Sequence, residues 1–324
     1  MNALEVNVEL LIQHGDKVFS PIVQEGITWS TERKGCPSEL QFKVVKDDII
    51  DFQEGDAVRL KVNGSNVFYG FVFKKKRSKD HIISVTAYDQ LRYFKNKDTY
   101  VYENKTASEF IQMIATDFNL RTGDIEDTKF KIASRVEENT SLFDMVQNAI
   151  DITLENKKMM YVLYDDFGKL TLKSLENMRL NLLIDEETGE NFDYTSSIDD
   201  QTYNKVKLTY DNENTGKREV YIAQHGENIN QWGVLQHFDT LKDGENGQAK
   251  ADALLELYNK KTRNLSIKDA FGDTRVRGGS LVVVMLDLGD IIVKTLMLVE
   301  KCKHEFKESQ HVMNLELRGG EFIA

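Results

Sequence analysis

The sequence predicts a mainly β protein with an α+β insert, organised as two related β-barrel domains that flank a small α+β region. Three observations lead to this prediction. Short strand-like segments fill the first hundred residues, helix-type patterns begin near Asp98, and strand-like segments return from Tyr194. The predicted domains are residues 1–97, 98–192 and 193–324, the last with an inserted helix.

The first domain is predicted from short β-branched and aromatic runs separated by turn signals such as Asn63-Gly64. The runs are "LEVNVELLI", "AVRLKV", "NVFYGFVF" and "HIISVTAYD". Their close spacing leaves no room for the crossover helices that a parallel sheet requires. A barrel or sandwich of antiparallel strands is therefore expected.

The insert is predicted from two helix starts and one hairpin. Thr106 precedes Glu109 by three residues, and Ser141 precedes Asp144 in the same way, which is the capping arrangement that satisfies free amides at a helix start. Apolar residues follow at helical spacing, namely Phe110, Ile111, Ile114 and Phe118 in the first helix and Leu142, Val146, Ala149 and Ile150 in the second. The segment "MMYVLYDDFGKLTLKSL" then predicts a hairpin that turns at residues 165–168.

The last domain is predicted to contain the strands "NKVKLTY" and "REVYIA" and one helix, "QAKADALLELYNKK", with Ala253, Leu254, Leu257 and Tyr258 facing inward. The segment "GSLVVVMLDLGDIIVKTLMLVE" is apolar at successive positions, which is typical of strands covered on both faces, although a buried helix has the same pattern. Gly289-Asp290 as a turn and the Val and Ile content favour strands.

One hairpin pattern occurs twice, in residues 70–89 and 298–320. Residues 81–87 match residues 311–317 in type at most positions, and residues 55–60 upstream resemble residues 279–284. Any two antiparallel hairpins share an alternation of period two, so chance similarity is one interpretation. The other is a pair of related β-domains.

The composition argues against several classes of protein. A net charge of −11 disfavours direct nucleic-acid binding, which depends on cations that displace counterions. We find neither a long apolar run for membrane insertion nor a secretory pattern in "MNALEVNVELL". Cys36 and Cys302 are far apart and outside any CxxC motif, so they are expected to be reduced thiols.

Motifs that carry chemistry are incomplete in this sequence. "HEFKE" has Glu308 where a zinc helix needs its second histidine, and the calcium-like "DNENTGKREVYI" has Ile222 at its twelfth position in place of a bidentate Glu. His304 and His311 could oppose each other across a hairpin, but without a third ligand they are expected to be solvent-exposed. Acidic pairs are numerous, and none stands out as a glycosidase couple. We therefore expect no catalytic site, no metal and no cofactor.

Candidate contact residues come from exposed charge and from large apolar side chains. The basic run at residues 74–79 is predicted to be a solvated hairpin tip, with docking to an acidic neighbour as the alternative. Trp29 and Trp232 are expected to anchor packing or an interface. The candidate contacts to other subunits or partner proteins are Val282, Val284, Phe71, Trp232, Lys75 and Lys76.

The segment "FYGFVFKKKRSKDHIISVTAYDQLRYFKNK" resembles the first barrel of contractile-tail baseplate hub proteins of the XkdQ type, found in prophages and in phage-tail-like bacteriocins. Further similar segments follow in the same order, namely "NKTASEFIQMIATDFNL", "ENTSLFDMVQNAID", "YVLYDDFGKLTL", "NQWGVLQ", "AKADALLELYNKK", "VRGGS" and "MNLELRGG". This family is related to phage late control proteins and to the N-terminal part of type VI secretion spike proteins (VgrG). The resemblance covers nearly the whole chain but includes no catalytic signature.

The resemblance implies a homotrimer whose two barrels per chain form a ring of six similar units between a threefold spike and a sixfold tail tube. Because the chain ends four residues after Gly320, the spike is expected to be a separate protein. The other implied partners are the tail tube protein and a baseplate wedge or LysM-type tail protein. Synthesis in the bacterial cytoplasm and incorporation into the particle are implied too. The alternatives are a tail-associated cell-wall hydrolase and a secreted binding module.

Overall fold

The computed structural model describes residues 6–189, 191–199, 201–212, 216–241, 246–287 and 292–319. Most of the described chain is β-strand, and four helices lie in its central and later parts. The predicted fold class, mainly β with an α+β region, is confirmed. No helix within these ranges is long and apolar enough to cross a membrane.

The first β-domain alternates buried and exposed side chains along its strands, so one face of each strand contributes to a common core. Its strands are β1 (Val8–His14), β2 (Lys17–Phe19), β3 (Val23–Glu32), β4 (Glu39–Val45), β5 (Ala57–Val62), β6 (Ser65–Arg77) and β7 (Ile82–Tyr88). All pairings among them are antiparallel, in the order β3-β4-β7-β6-β5-β1-β2.

The central region is an α+β unit whose helices begin at the predicted caps. Its elements are a 3-10 helix (Gln90–Lys95), β8 (Lys97–Lys105), α1 (Ala107–Asp117), β9 (Thr122–Ile125), β10 (Ile132–Ser141), α2 (Leu142–Lys157), β11 (Tyr161–Asp165), β12 (Leu170–Ser174) and a second 3-10 helix (Leu175–Met178). Thr106 and Glu109 form the reciprocal capping box, and Ser141 caps α2. The β11–β12 hairpin turns at residues 165–168, as predicted.

The second β-domain is interrupted by a separate small α+β unit. The domain contains β13 (Arg179–Ile184), β14 (Asn191–Ser197), β18 (Thr262–Phe271), β19 (Leu281–Asp287), β20 (Ile292–Lys307) and β21 (Gln310–Gly319). The small unit contains β15 (Lys205–Asn212), β16 (Lys217–Gln224), α3 (Gly226–Trp232), β17 (Gln236–Thr240) and α4 (Gly247–Tyr258). "NKVKLTY" and "REVYIA" are thus strands of a separate three-stranded sheet with its own core.

The predicted boundary at residue 192 falls inside β14, and β13, an earlier strand of the same β-domain, lies before it. β13 pairs with β19, and Ile184 is buried in the same core as Val282 and Val284. In α4, Leu254 is buried as expected, whereas Ala253 and Leu257 are only half-buried and lie opposite α2. One side of α4 packs against the core of the small α+β unit, and another side faces α2. The sequence predicted only one buried side.

The apolar segment after Gly279 forms β19 and the start of β20, as predicted. Leu281 and Val282 are both buried, but Met285 and Asp287 are exposed, so only the first part of β19 is covered on both faces. The predicted turn at Gly289-Asp290 lies outside the described residues.

The two β-domains repeat one strand order. β14-β18-β21-β20-β19 pair in the same sequence and the same antiparallel sense as β3-β4-β7-β6-β5. Even the irregularity is shared, because β6 bulges at Phe73 against β7 and β20 bulges at Glu300 against β21. Chance alternation would not reproduce both pairing order and bulge position. The small α+β unit occupies the connection that is the short β3–β4 loop in the first domain.

Candidate assembly interface

One continuous sheet joins the two β-domains through a seam between β20 and β3. β20 is long enough to have two partners on one edge, pairing with β19 as far as Leu298 and with β3 from Lys301 to Phe306. The register places Lys301 opposite Glu32 and His304 opposite Trp29. The sheet of the second domain therefore continues directly into that of the first.

The two faces of the seam have different chemistry. On the outer face the Lys301 ammonium lies 3.2 Å from the Glu32 carboxylate. At the end of the seam, next to the α+β insert, the largely buried Arg33 guanidinium donates to Glu300 over 2.7 Å. On the inner face Trp29 is buried and stacks on His304 with ring centroids 4.7 Å apart. The prediction that Trp29 anchors packing is confirmed.

His304 was predicted to be solvent-exposed, and this prediction is wrong. The ring is completely buried because it lies on the inner face of β20 against Trp29. Its Nε2 donates to the carbonyl of Val276 over 2.9 Å, so its Nδ1 accepts from His311 Nε2 at 2.9 Å. Burial lowers the pKa of His304 to about 3 and that of His311 to about 4, so both rings are neutral at pH 7. The described residues contain no cluster that could hold a metal ion.

A loop of the second β-domain, residues 276–280, holds the seam against the α+β insert. Arg277 donates to the carbonyl of Asp165 over 2.8 Å and lies over the rings of Tyr164 and Trp29. The amide of Gly278 donates to Thr31 Oγ1 over 2.9 Å. The "VRGGS" segment thus contacts all three regions of the chain at once.

A pair of acidic side chains lies beneath this loop, at the end of β7 and the end of β11. Asp89 accepts from the amides of Ser38 and Leu91, both at 3.0 Å, and Asp165 accepts from Gln90 Nε2 at 2.8 Å. Burial raises the pKa of Asp165 to about 6, and burial together with the nearby Asp165 raises the pKa of Asp89. Both are almost fully buried, so this pair is a structural network between regions and is closed to a polymer substrate.

The predicted contact residues are distributed over different environments. Val282 and Val284 have no exposed surface and lie in the core of the second β-domain, so the prediction that they contact another subunit is wrong. Phe71 is half-buried beside Tyr69, and Trp232 is half-buried at the end of α3. Phe71 lies on the same strand as the basic run, whereas Trp232 lies in the small α+β unit.

The two predicted lysines of the basic tip have different roles. Lys76 is exposed, whereas the Lys75 side chain is only 12% exposed. Lys75 donates to the carbonyl of Phe52, lies 4.9 Å from the centre of that ring, and approaches Glu54 to 3.7 Å. Lys75 therefore holds the β4–β5 loop against β6, and only its neighbours are free to dock.

We expect Lys75→Met to lower the free energy of unfolding by about 1–2 kcal/mol, because the Phe52 carbonyl loses a charged donor and the ring loses its cation. The matched Lys76→Met substitution on the exposed side is expected to change it by less than about 0.5 kcal/mol. Urea unfolding of both variants at one pH measures the difference. Equal effects would contradict the assigned role of Lys75.

Sequence reasoning missed Arg277 and the Asp89–Asp165 pair. The only local signal was "VRGGS", whose paired glycines indicate a close backbone approach without naming the partner.

Comparisons with known proteins agree on one family. The model of the YqbQ-like family matches residues 27–318. YqbQ of Bacillus subtilis is 32% identical over 308 residues, covering 91% of this chain and 92% of that protein. The phage-like element PBSX protein XkdQ of the same species is 30% identical over 314 residues, covering 93% and 94%.

The fold also resembles a solved phage protein. The 43 kDa tail protein of prophage MuSo2 from Shewanella oneidensis has a TM-score of 0.71 at 12% identity, with 98% of this chain and 100% of that chain covered. At this identity the similarity establishes the fold, which is that of a phage tail protein.

Proposed function

Because the chain belongs to the YqbQ-like family, we propose that it is the structural baseplate hub of a contractile injection system, either a phage tail or a phage-tail-like bacteriocin. In this role it is a homotrimeric adaptor that joins a threefold central spike to the sixfold tail tube. The observation that carries the proposal is the repeated strand order of the two β-domains.

The repeat provides a way to match two symmetries. Three copies of a chain with two equivalent β-domains present six similar surfaces, which can template six tube subunits. The α+β insert occurs once per chain, so it retains the threefold character that a trimeric spike can recognise. Equivalence of the two domains is needed only on the side that meets the tube.

The partners that fit this role are a separate spike protein, the tail tube protein and a baseplate wedge or LysM-type tail protein. The net charge of −11 disfavours binding of passing nucleic acid, which agrees with a part that surrounds a conduit. The protein is made in the bacterial cytoplasm and incorporated into the particle.

Native mass spectrometry of the purified chain at tens of micromolar tests the oligomeric state, and we expect the mass of three copies. A monomer across this range would contradict an intrinsic trimer.

We propose further that the chain carries no catalytic site. The most perturbed carboxylates, Asp89 and Asp165, serve a buried network between regions. A zymogram with peptidoglycan is expected to remain opaque. A cleared zone that persists in an Asp165→Asn variant would point to a hydrolase site elsewhere, and one abolished by it would assign catalysis to this pair.

A further inference from the structure

The seam between β20 and β3 has an equivalent position in the first β-domain, at the end of β6, where no second strand of the described chain pairs. In the second domain, the part of β20 after the bulge at Glu300 pairs with β3. In the first domain, β6 continues past its equivalent bulge at Phe73 as Lys74–Arg77. Within the described ranges, the backbone of Lys74–Arg77 pairs with β7 on one edge and with no strand on the other.

The counterpart of β3 is β14. Leu40 of β4 faces Ala87 of β7, and Leu265 of β18 faces Leu317 of β21, at equivalent places in the two hairpins. Trp29 lies opposite Leu40, and Tyr194 lies opposite Leu265.

The ladder thereby aligns Trp29 with Tyr194, and Glu32 with Ser197. β3 pairs with β4 on one edge and with β20 on the other. β14 pairs with β18 on the equivalent first edge, and no described strand pairs with its second edge. Unpaired strand edges are templates for another strand.

We propose that Lys74–Arg77 of one copy pairs antiparallel with Tyr194–Ser197 of a second copy of this chain. Transferring the register of the seam places Lys74 opposite Ser197, Lys76 opposite Thr195, and Arg77 opposite Tyr194. This inference rests on the proposed trimer and specifies the contact that forms it.

The occupant is a second copy because the two edges are far apart in the strand order and do not pair within the described chain. β14 lies at one end of the long sheet, and seven ladders separate it from β6 in the order β14-β18-β21-β20-β3-β4-β7-β6. A contact between different patches of identical chains is head-to-tail, and such contacts form a ring where the rotation between copies closes and an open filament where it does not. In a ring of three copies, seams within a chain would then alternate with seams between neighbouring chains.

Charge complementarity supports the pairing. Lys74, Lys76 and Arg77 are exposed on β6, with Lys79 just beyond it, whereas the chain on either side of β14, residues 181–204, contains seven Asp or Glu and no Lys or Arg. The neighbouring strand β18 adds Arg263 opposite Ser196. In the internal seam the Lys301–Glu32 pair joins the two strands. In the proposed seam Lys74 keeps the cation of this pair, and Ser197 stands where Glu32 supplies the acid. Opposite charges across an interface fix register and accelerate encounter.

The stacking in the seam also has a counterpart. Trp29 stacks on His304 in the internal seam, and the transferred register brings Arg77 against Tyr194. An arginine over a tyrosine ring is a favourable cation–π pair. Tyr194 is half-buried in its own domain, so one side of it is available.

Disulfide trapping tests the register in a Cys36→Ser background, with the buried Cys302 retained. Opposite Cα atoms in an antiparallel ladder lie about 4.5–5.5 Å apart, within the range that a disulfide spans. We expect the combined variant Lys76→Cys with Thr195→Cys to give covalent dimers and trimers under mild oxidation, with at least half of the chains linked.

Two controls come from the same chain. The combination Lys303→Cys with Ser30→Cys occupies the equivalent position in the internal seam and is expected to form a disulfide within one chain. Lys76→Cys with Ser196→Cys shifts the pair by one residue, which turns one side chain to the opposite face, so linking is expected to fall at least fivefold. Circular dichroism of the reduced variants checks their folding.

The outcomes separate this pairing from the proposed function. A trimer by mass without the Lys76–Thr195 link, while the internal control forms, overturns the pairing and leaves the trimer. A monomer by mass without links overturns both. Covalent species beyond three copies support the pairing and contradict the closed trimer. Hydrogen exchange is a second readout, because the amides of residues 74–77 and 194–197 that point away from β7 and β18 should be protected at least tenfold more in the wild-type trimer than in diluted monomer.

Discussion

Replacing Gly278 with alanine is expected to lower the free energy of unfolding by about 3 kcal/mol, the upper end of the usual cost of overpacking, because the added methyl group meets backbone atoms. A Cβ atom at this position would lie 2.3 Å from the carbonyl carbon of Glu32 and 2.4 Å from the amide of Arg33. Both are backbone atoms at the end of β3, which the seam with β20 holds in place. Urea unfolding measures the loss.

Gly226→Ala is the matched control, because a Cβ atom there meets nothing within 4 Å. It is expected to change the free energy of unfolding by less than about 0.5 kcal/mol. If Gly278→Ala unfolds at the same urea concentration as the wild type, the loop does not hold the seam closely.

Acid is expected to destabilise the seam through His304. Its pKa is about 3 in the folded protein and near 6.5 in the unfolded chain, so between these values the unfolded chain binds one more proton. The stability from neutral His304 is complete above pH 6.5 and is lost as the pH falls toward 3. At about 1.4 kcal/mol per pH unit, lowering the pH from 7 to 4 costs about 3 kcal/mol.

The variant His304→Phe keeps an aromatic ring against Trp29 and removes this titration. We expect it to be less stable than the wild type at pH 7, because the Val276 carbonyl loses its donor, but to lose about 3 kcal/mol less between pH 7 and pH 4. Parallel slopes of stability against pH for the two proteins would contradict the assignment.

Other ionisable groups near the ring are common to both proteins. His311, Asp273 and Arg277 face His304, and the raised pKa values of Asp89 and Asp165 act in the opposite direction, because these carboxyl groups bind protons more readily in the folded state. The comparison of slopes isolates His304 from them. His311→Phe is expected to reduce the slope by less, since His311 is only half-buried.

The local features of the fold could be predicted from the sequence. The capping box at Thr106 and Glu109 and the turn at residues 165–168 depend only on residues close together in the sequence. The local sequence pattern therefore predicts both. The repeated hairpin was visible because alternation and residue types are preserved at a distance. The predicted domain limits at 97 and 192 remain predictions.

The partners of strands far apart in the chain could not be predicted. Alternation of period two indicates which face of β20 is buried, but it does not indicate that β3 is the neighbouring strand. His304 was therefore interpreted as an exposed strand residue. Val282 and Val284 were misassigned for a related reason. An apolar run has the same appearance whether a subunit or the domain's own core covers it.

The most direct test of the account is a cryo-electron microscopy structure of the assembled hub. We predict three chains in a ring, with residues 1–97 and 193–324 superimposing over the five shared strands at equal radius, and with β6 of each chain paired to β14 of the next. Three chains whose β-domains lie at unequal radii, or whose β6 and β14 edges face solvent, would contradict it.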